Sequence, residues 1–366
     1  METKSIAEVC EIISGGTPKT SVPEYWNGNI GWLSVKDFGG GKKYVYESEK
    51  TITELGVDKS STNILEEDDI ILSARGTVGE MAMIGTPMAF NQSCFGLRTK
   101  NNNTLDQEYL FYALKNSIKS ITSVTQGSVF ETINRASFER IFISYDDIKK
   151  QRKVAAFLAN IDSKIENNEQ INRNLSEQCD VIYREQFIKN ANSSWTAGHL
   201  SDLITVKYGK DHKKLEDGDI PCYGSGGIIR YVERPIYDQE SVLIPRKGTL
   251  NNVMYVNTPF WSVDTMFFTI MKIPNIAKFV YHFVKEKNLA SMNAGSAVPS
   301  MTTDILNAIE IQIPPSEALA VFESIVQPLY KTIKYNETEN KKLAELRDTL
   351  LPKLISGELD VFDLKI

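Results

Sequence analysis

Two stretches of this chain carry the same helical pattern, 168 residues apart. The first contains positions spaced alternately by four and three residues: Val154, Leu158, Ile161, Ile165, Asn168, Asn172, Leu175, Cys179 and Ile182. Adding 168 to each number gives Phe322, Val326, Leu329, Ile333, Asn336, Asn340, Leu343, Arg347 and Leu350. This is the a/d spacing of a coiled coil, so it predicts two long helices whose apolar stripes are interrupted by a pair of asparagines.

The matching asparagines favour pairing between the two helices, since a buried Asn fixes register at a cost in stability. In an antiparallel pair related by a pseudo-two-fold axis level with Gln170, Asn168 would face Asn340 and Asn172 would face Asn336. Pairing within one chain is the leading hypothesis, and assembly between two chains is its alternative. Pro314-Pro315 precedes the second helix and Pro352 is expected to interrupt its end.

The segments outside the helices repeat as well. Residues 68–90 align without gaps on residues 240–262, so that Gly76-Thr77 falls on Gly248-Thr249. Short runs such as DIILSA, SVLIP, MFFTI and AIEIQIP indicate strands, and residues 106–118 indicate a helix among them. We predict an α+β fold in which two β-rich mixed domains, residues 1–145 and 191–315, are joined by an antiparallel coiled coil of two long helices, residues 146–190 and 316–366 with a C-terminal tail.

Composition excludes several classes of protein. The chain has 366 residues, 42% of them hydrophobic, and no run approaches a membrane span or a signal peptide, which indicates a cytoplasmic protein. The four cysteines are expected to be reduced and mostly packed, and neither they nor the three histidines have metal-ligand spacing: Cys10, Cys94, Cys179, Cys222, His199, His212 and His282. The net charge of −6 means that any grip on nucleic acid relies on local basic groups or on a partner.

Motifs of catalysis are absent from the sequence. There is no phosphate-binding G-x-x-x-x-G-K-[ST], no G-x-S-x-G and no Asn/Asp-Pro-Pro-aromatic loop of base-amino methyltransferases. Residues 222–229, CYGSGGII, contain a lone Gly-x-Gly, which is weak evidence for a nucleotide or S-adenosylmethionine loop. We interpret this segment as a glycine-rich loop that another backbone approaches.

Several polar loops have residues suited to binding. Residues 207–214, KYGKDHKK, hold four lysines and gain flexibility from Gly209, although a solvated charged loop is an equal alternative. Residues 244–249 place an Arg before a turn, where it can read guanine or pair with an acid. Residues 14–20, 125–134 and 292–300 are rich in amide and hydroxyl groups, and each is equally compatible with a plain connection.

With this duplicated plan, the chain resembles the specificity (S) subunit of type I restriction–modification enzymes over essentially its whole length. The segments that carry the resemblance are residues 10–38, residues 147–165, GDIPCYGSGGIIRYV with VLIPRKGT and FWSVDTMFF in the second half, and LRDTLLPKLISGEL at the end. The second helix start, SEALAVFESIVQPLY, lacks the Gln that usually follows Pro-Pro in this family. The resemblance implies that each globular domain reads one half of a split double-stranded DNA site.

The same resemblance implies the partners. The paired helices would set the gap between half-sites and dock two methyltransferase (M) subunits, with two restriction (R) subunits added in a cleaving assembly. Those partners would carry S-adenosylmethionine, ATP and Mg²⁺, so this chain would bind no cofactor and catalyse nothing by itself. The DNA contacts that we expect are Lys19, Arg75, Thr77, Gln126, Ser128, Asn134, Lys207, Lys210, Lys213, Lys214, Arg246, Lys247, Thr249, Asn293 and Ser296.

Three other functions remain open at this point. A coiled-coil adaptor whose globular ends bind protein would show no salt-dependent DNA affinity in any complex. A methyltransferase using the glycine loop would bind S-adenosylmethionine by itself. A specificity subunit of a methylation-only system differs from the favoured function only in its neighbouring genes.

Overall fold

The computed structural model describes residues 1–124, 132–192, 194–292 and 300–364, with side chains from 119 to 124 left out. The chain divides into two compact units. The first unit comprises Met1–Gln170 with Asn336–Ile366, and the second comprises Ile171–Tyr335. No helix in these described ranges is both long and apolar enough to cross a membrane.

The first unit is built on three sheets. One is five-stranded with the order β2-β10-β7-β8-β4, one is four-stranded with the order β5-β3-β9-β6, and β1 pairs antiparallel with β11. The strands are β1 Glu2–Ser5, β2 Cys10–Ser14, β3 Trp26–Leu33, β4 Tyr44–Val45, β5 Lys50–Ile52, β6 Ile64–Leu65, β7 Ile70–Ser73, β8 Met81–Ile84, β9 Met88–Phe90, β10 Cys94–Thr99 and β11 Phe142–Tyr145. The helices are α1 Ile6–Val9, α2 Val35–Phe38, α3 Glu54–Asp58, α4 Gln107–Val124 and α5 Ile148–Arg184, the last followed by a π-helical turn at Glu185–Lys189.

The second unit repeats this plan with fewer strands. Its four-stranded sheet has the order β13-β19-β16-β17, a three-stranded sheet has the order β15-β14-β18, and β12 pairs antiparallel with β20. The strands are β12 Thr196–His199, β13 Ile204–Tyr208, β14 Ile220–Gly224, β15 Gly227–Val232, β16 Ser241–Pro245, β17 Met254–Val256, β18 Trp261–Ser262, β19 Met266–Met271 and β20 Glu310–Ile313. The helices are α6 Leu200–Leu203, α7 Ala277–Lys285, α8 Thr303–Asn307 and α9 Ser316–Ser356.

In each unit a hydrophobic core joins the sheets to a piece of both long helices. In the first unit, Val154 and Leu158 of α5 share one core with Leu351 and Leu354 of α9 and with the buried face of α4. In the second unit, residues of α5 and α9 pack with α7 in the same way: Cys179, Tyr183 and Phe187 with Leu319, Phe322 and Val326. The predicted strands and the predicted helix at 106–118 are therefore present, and the fold is the expected mixed one.

The two long helices run antiparallel within each unit. In the first unit, Asn168 donates to the side-chain oxygen of Asn340 over 2.8 Å and Asn340 donates to the carbonyl of Ile165 over 3.3 Å. In the second unit, Asn172 donates to the carbonyl of Ile333 over 3.3 Å. The Asn168–Asn340 pair is the one that the sequence register predicts.

The predicted stripe is the more buried face of both helices. Val154, Leu158, Ile161, Asn168, Phe322, Val326 and Asn336 are buried. Ile165, Asn172, Leu175, Leu329, Ile333, Asn340 and Leu343 are half-buried, and none of the fourteen is exposed. The a/d spacing thus identifies the inward face correctly.

One predicted helix limit is wrong. α9 does not stop at Pro352 but continues for another turn to Ser356. Leu351, Leu354 and Ile355 on either side of the proline are buried in the core of the first unit, so packing holds this turn helical despite the missing N–H. Gly357, with φ of +76°, then ends the helix in the left-handed conformation that favours glycine.

Candidate nucleic-acid interface

Residues 207–214 of the second unit form the lysine loop, and two hydrogen bonds hold the point where this loop leaves the sheet. The backbone N–H of Lys210 donates to the carbonyl of Ser262 over 2.8 Å. The indole N–H of Trp261 donates to the carbonyl of Lys210 over 3.0 Å. A Cβ on Gly209 would lie 2.0 Å from the carbonyl oxygen of Val263, so this glycine permits a close backbone approach. The expectation that Gly209 supplies flexibility is wrong, because the residue is buried against a neighbouring strand end.

The first unit anchors the matching loop with the same two hydrogen bonds. The backbone N–H of Gly16 donates to the carbonyl of Phe90 over 2.9 Å. The indole N–H of Trp32 donates to the carbonyl of Gly16 over 3.0 Å. Phe90 is the repeat equivalent of Ser262, but Trp32 lies on β3 whereas Trp261 lies on β18. Two different strands therefore supply the same anchor to the loop that carries Lys19 in one unit and the lysine cluster in the other.

The turn after β16 lies beside the lysine loop. Tyr208 at the end of β13 pairs with Phe267, and Pro245 at the end of β16 pairs with Met266, so both ends flank β19. The Arg246 guanidinium carbon lies 5.8 Å from the centroid of the Tyr208 ring.

The side chain of Arg246 is held in place. Its Nε donates to the carbonyl of Asp264 over 2.9 Å, while Tyr208 beside it remains 53% exposed. An arginine fixed by a backbone carbonyl and an aromatic face presents its remaining donors in a defined direction, as bidentate recognition of guanine requires.

The glycine segment at 222–229 is the turn of a hairpin. β14 and β15 pair antiparallel across it, and Gly227 has φ of +117°. A Cβ on Gly226 or Gly227 would meet no atom within 4 Å. No other backbone in the described ranges approaches Gly226 or Gly227, contrary to expectation, and Gly227 is needed for the turn conformation.

The hairpin turn adjoins the Arg246 turn. A Cβ on Gly248 would lie 2.8 Å from the hydroxyl of Ser225, and the side chain of Asn252 donates to the carbonyl of Ser225 over 2.8 Å. The lysine loop, the Arg246 turn and the hairpin turn thus form one continuous surface of the second unit.

The corresponding surface of the first unit is built from equivalent turns. Gly76 has φ of +76°, which matches +83° at its equivalent Gly248. The backbone N–H of Ile133 donates to the carbonyl of Ala74 over 2.9 Å, which brings Asn134 next to the Arg75 turn. The hydroxyl of Thr17 donates to the side chain of Gln92, which joins the Lys19 loop to the strand connection before β10.

The expected DNA-contact residues that the structure describes lie on these surfaces and are solvent-accessible. Lys19, Arg75, Thr77, Asn134, Lys207, Lys210, Lys213, Lys214, Lys247 and Thr249 are exposed, and Arg246 is half-buried. Asn134 uses its side-chain oxygen to accept from the N–H of Ser137 over 3.1 Å, which leaves the amide donor as its binding group. Gln126, Ser128, Asn293 and Ser296 lie outside the described residues.

The lysine loop also holds one fixed negative charge. The backbone N–H of Lys213 donates to the carboxylate of Asp211 over 3.1 Å and lowers the pKa of that carboxyl. The loop therefore presents four lysines and one carboxylate. The carboxylate repels phosphate groups, so the lysines nearest to it are less favourable phosphate contacts than the others.

Sequence reasoning missed the apolar part of this surface. Tyr208, Ile228, Ile229 and Tyr231 are all 44–53% exposed. A signal existed for the isoleucine pair, because successive side chains of a strand point to opposite faces and both cannot enter one core. Exposed apolar groups at a nucleic-acid surface can contact thymine methyl groups and base edges.

A match to a protein-family model shows to which family this chain is related. The model of the type I restriction modification DNA specificity domain matches residues 1–177 and matches again at residues 192–346, which together cover well over half of the chain.

The chain belongs to the type I restriction–modification DNA specificity family.

Relatives and a solved structure agree with this membership. The chain is 26% identical to the type I restriction enzyme MjaIX specificity subunit of Methanocaldococcus jannaschii, over 99% of this chain and 94% of that protein. It is 23% identical to the EcoprrI specificity subunit of Escherichia coli, over 93% and 90%. The crystal structure of a type I system S subunit from M. genitalium shares the fold, with a TM-score of 0.56 at 18% identity, over 97% and 96%.

This type I specificity chain therefore contains two DNA specificity domains. Among the residues that the structure describes, no group of three or more His, Cys, Asp or Glu side chains could hold a metal ion. The four cysteines are free and buried. Burial raises the pKa of Cys10 and Cys94 to about 12, so these thiols are protonated at neutral pH.

Proposed function

We propose that this chain selects the DNA sequence for a type I restriction–modification assembly by reading a bipartite, asymmetric site. The observation that carries the proposal is the repeated anchored surface with different side chains. The second unit presents Arg246, Tyr208 and the lysine cluster, whereas the first presents Lys19, Arg75, Thr77 and Gln92. One scaffold with two different surfaces suits two unlike half-sites, because side chains at base edges carry the specificity.

The long helices serve the assembly in this proposal. α5 and α9 contain 37 and 41 residues, set the gap between the half-sites and dock two methyltransferase (M) subunits, with two restriction (R) subunits where the system cleaves DNA. The partners bring S-adenosylmethionine, ATP and Mg²⁺ and perform base flipping and chemistry. They also add phosphate contacts to those of this chain, whose net charge is −6. Its DNA substrate places the assembly in the cytoplasm.

The experiment is co-expression with the neighbouring methyltransferase gene, followed by methylation mapping of the host DNA. We expect a split motif of two short half-sites around a fixed gap. Replacing residues 1–145 with another such domain should change one half of the motif and leave the other half unchanged. Cleavage in the presence of a neighbouring restriction gene distinguishes a full system from a methylation-only one.

Three outcomes contradict the proposal. If the chain does not associate with the methyltransferase, an adaptor that binds protein through the same helices becomes the better explanation. If the chain by itself binds S-adenosylmethionine, a methyltransferase becomes the better explanation. Association without methylation would indicate a silent specificity cassette and would contradict the claim that this chain selects a sequence.

A further inference from the structure

A buried polar triad links three helices in the first unit. The hydroxyl of Tyr112 on α4 donates to Asp162 on α5 over 2.7 Å, and Arg347 on α9 donates to the other oxygen of Asp162 over 2.6 Å. Tyr112 and Asp162 are 0% and 5% exposed. Asp162 and Arg347 therefore form a buried ion pair whose remaining oxygen is satisfied by the tyrosine.

The second unit has a triad at the equivalent place with different chemistry. Asp180 on α5 lies 2.9 Å from Nδ1 of His282 on α7, and Nε2 of His282 lies 3.0 Å from the hydroxyl of Tyr330 on α9. His282 is 1% exposed. Lys285, one turn further along α7, also donates to Asp180 over 2.7 Å.

The repeat offset relates the members of the two triads. Adding 170 to Tyr112 of α4 gives His282 of α7, and adding 168 to Asp162 of α5 gives Tyr330 of α9. Subtracting 168 from Arg347 gives Cys179, the neighbour of Asp180. Equivalent positions thus carry Tyr, Asp and Arg in one unit and His, Tyr and Cys in the other.

One helical turn earlier, the equivalent positions of α4 and α7 carry opposite charges, of which the one on α4 is half-buried and the one on α7 is buried. On α4 the position holds Glu108, which pairs with the buried Lys43 of its own domain. On α7 it holds Lys278, which is 0% exposed and pairs with Glu323 of α9 over 2.8 Å and with Glu240 over 3.3 Å. The position equivalent to Glu323 on α5 is the buried Ala155. The nearer of the two carboxylates that bind Lys278 is therefore on the long helix of its own unit, and the equivalent helix position in the first unit carries no charge.

Exchanging the domains would bring unlike partners together. A copy of the first domain seated on the helices of the second unit would place Glu108 against Glu323, and Tyr112 against Tyr330 and Cys179. Glu323 would then lose Lys278 and would lie against Glu108, a second carboxylate whose own cation is Lys43. Buried like charges and unpaired buried polar groups are strongly unfavourable, and proteins use such repulsion to reject wrong partners.

We propose that the contacts of α4 and of α7 with the long helices determine where each recognition domain can pack. Each domain packs only on the helix segments that carry its own partner residues, and we call these partner residues its key. Three helix positions constitute the key, namely Ala155, Asp162 and Arg347 in the first unit and Glu323, Tyr330 and Cys179 in the second. The side chains at these helix positions thereby determine the order of the two domains along the chain.

The test exchanges a domain with and without its key. In the full chain, residues 191–315 are replaced by a second copy of residues 1–147. A second version also carries Glu323→Ala, Tyr330→Asp and Cys179→Arg. We expect the first chimera to unfold at a lower temperature than the second and, with the methyltransferase, to methylate at least about tenfold more slowly. The second should methylate a motif that contains the first half-site twice.

The reciprocal control places the same three substitutions in the natural chain. There they should lower the unfolding temperature, because Lys278 loses its nearer carboxylate and His282 loses the hydroxyl of Tyr330. The three substitutions should thus raise the unfolding temperature of the chimera and lower that of the natural chain. Substitutions that merely stabilise or destabilise α5 and α9 would shift both temperatures in the same direction. Unfolding is measured without DNA. The unfolding temperatures can therefore contradict the key without contradicting the proposed function, and the methylation mapping can contradict the proposed function without contradicting the key. Equal unfolding temperatures for the two chimeras, or failure of both to fold, would overturn the proposal.

Discussion

The side-chain amide of Asn168 donates to the side-chain oxygen of Asn340 over 2.8 Å, at the point where α5 and α9 pass each other in the first unit. The same amide donates to Glu339 over 2.6 Å. Asn168 is 1% exposed, so its polar atoms depend on these protein partners. Because only one axial alignment brings the two asparagines together, this contact specifies the register of the helix pair in a way that an apolar pair would not.

Replacing Asn168 with Ala should destabilise the first unit. The change removes the amide that donates to the side-chain oxygen of the half-buried Asn340, and an unsatisfied buried polar group costs about 1–3 kcal/mol. The free energy of unfolding in urea measures the effect. The control is Asn167→Ala, because Asn167 is the exposed neighbour on the same helix and its replacement should change stability by about 0.5 kcal/mol or less.

The double replacement Asn168→Leu with Asn340→Leu should separate stability from register. Two leucines continue the apolar stripe, so the free energy of unfolding should equal or exceed that of the natural chain. Alternative alignments should then appear as additional products when single cysteines along α5 and α9 are cross-linked. A double variant with one cross-linking pattern would show that the asparagines do not determine register.

The stability of the second unit should fall as the pH is lowered through about 6.5. Burial lowers the pKa of His282 below its usual 6.5, despite the hydrogen bond to Asp180 that favours the charged form. The unfolded chain therefore binds a proton in a range where the folded chain does not, so the free energy of unfolding rises with pH across that range.

Urea unfolding at a series of pH values between 7 and 5 measures this dependence. His282→Gln keeps a polar side chain and removes the titration, so its stability should be flatter over the same range. Asp180 does not contribute between pH 5 and 7, because its pKa lies below this range. Burial works to raise its pKa, but the hydrogen bonds from His282 and Lys285 outweigh burial and lower it below 3.8. An unchanged slope in His282→Gln would assign the dependence to other groups.

Gly209→Ala should displace the lysine loop. Its Cβ would lie 2.0 Å from a backbone oxygen, which cannot move as a flexible side chain can. We expect a loss of about 1–3 kcal/mol in stability and weaker DNA binding by the assembled complex. Gly226→Ala is the matched control, because its Cβ would meet nothing within 4 Å. Equal effects from the two replacements would rule out the close approach at Gly209 as the cause.

Arg246→Ala should relax the methylated motif at one base pair of the second half-site. Loss of a bidentate contact to guanine costs about 1–3 kcal/mol of discrimination. Methylation mapping with the methyltransferase partner reads the change directly. Arg234→Ala is the control, because Arg234 is 68% exposed and pairs with its neighbour Glu233. An unchanged motif would mean that Arg246 positions Tyr208 and does not read a base.

Replacing Lys207, Lys210, Lys213 and Lys214 with Ala should weaken binding to all sequences alike. Each lost phosphate contact lowers the salt dependence of the logarithm of the binding constant by about 0.9. Titration of the assembled complex with target and unrelated DNA at several salt concentrations measures both effects. An unchanged slope would show that the loop is a solvated surface.

Much of the helix pair could be predicted because its information is local and periodic. The a/d spacing identifies the buried face, and the asparagines at matching positions identify the Asn168–Asn340 contact. The same reasoning misplaced the end of α9, because a proline is read as a break from sequence alone. Leu354 and Ile355 beyond Pro352 are held by a core whose other members are far away in sequence.

The anchors and the triads could not be predicted for the same physical reason. Trp32 meets Gly16 across 16 residues, and His282 meets Asp180 across 102. Neither contact belongs to a short-period pattern, since each partner lies on a different element. An isolated histidine on an apolar helix resembles any packed histidine until tertiary structure supplies its neighbours.

The indole anchors have a consequence for how these loops can be changed. Trp32 and Trp261 hold only a backbone carbonyl, at Gly16 and Lys210, so the anchor is indifferent to which side chains follow it. Insertions, deletions and new residues beyond that carbonyl leave the stem of the loop where it is. A library of altered targets could therefore be made by randomising the residues after Gly16 or Lys210 while the tryptophan and the carbonyl that it holds are kept.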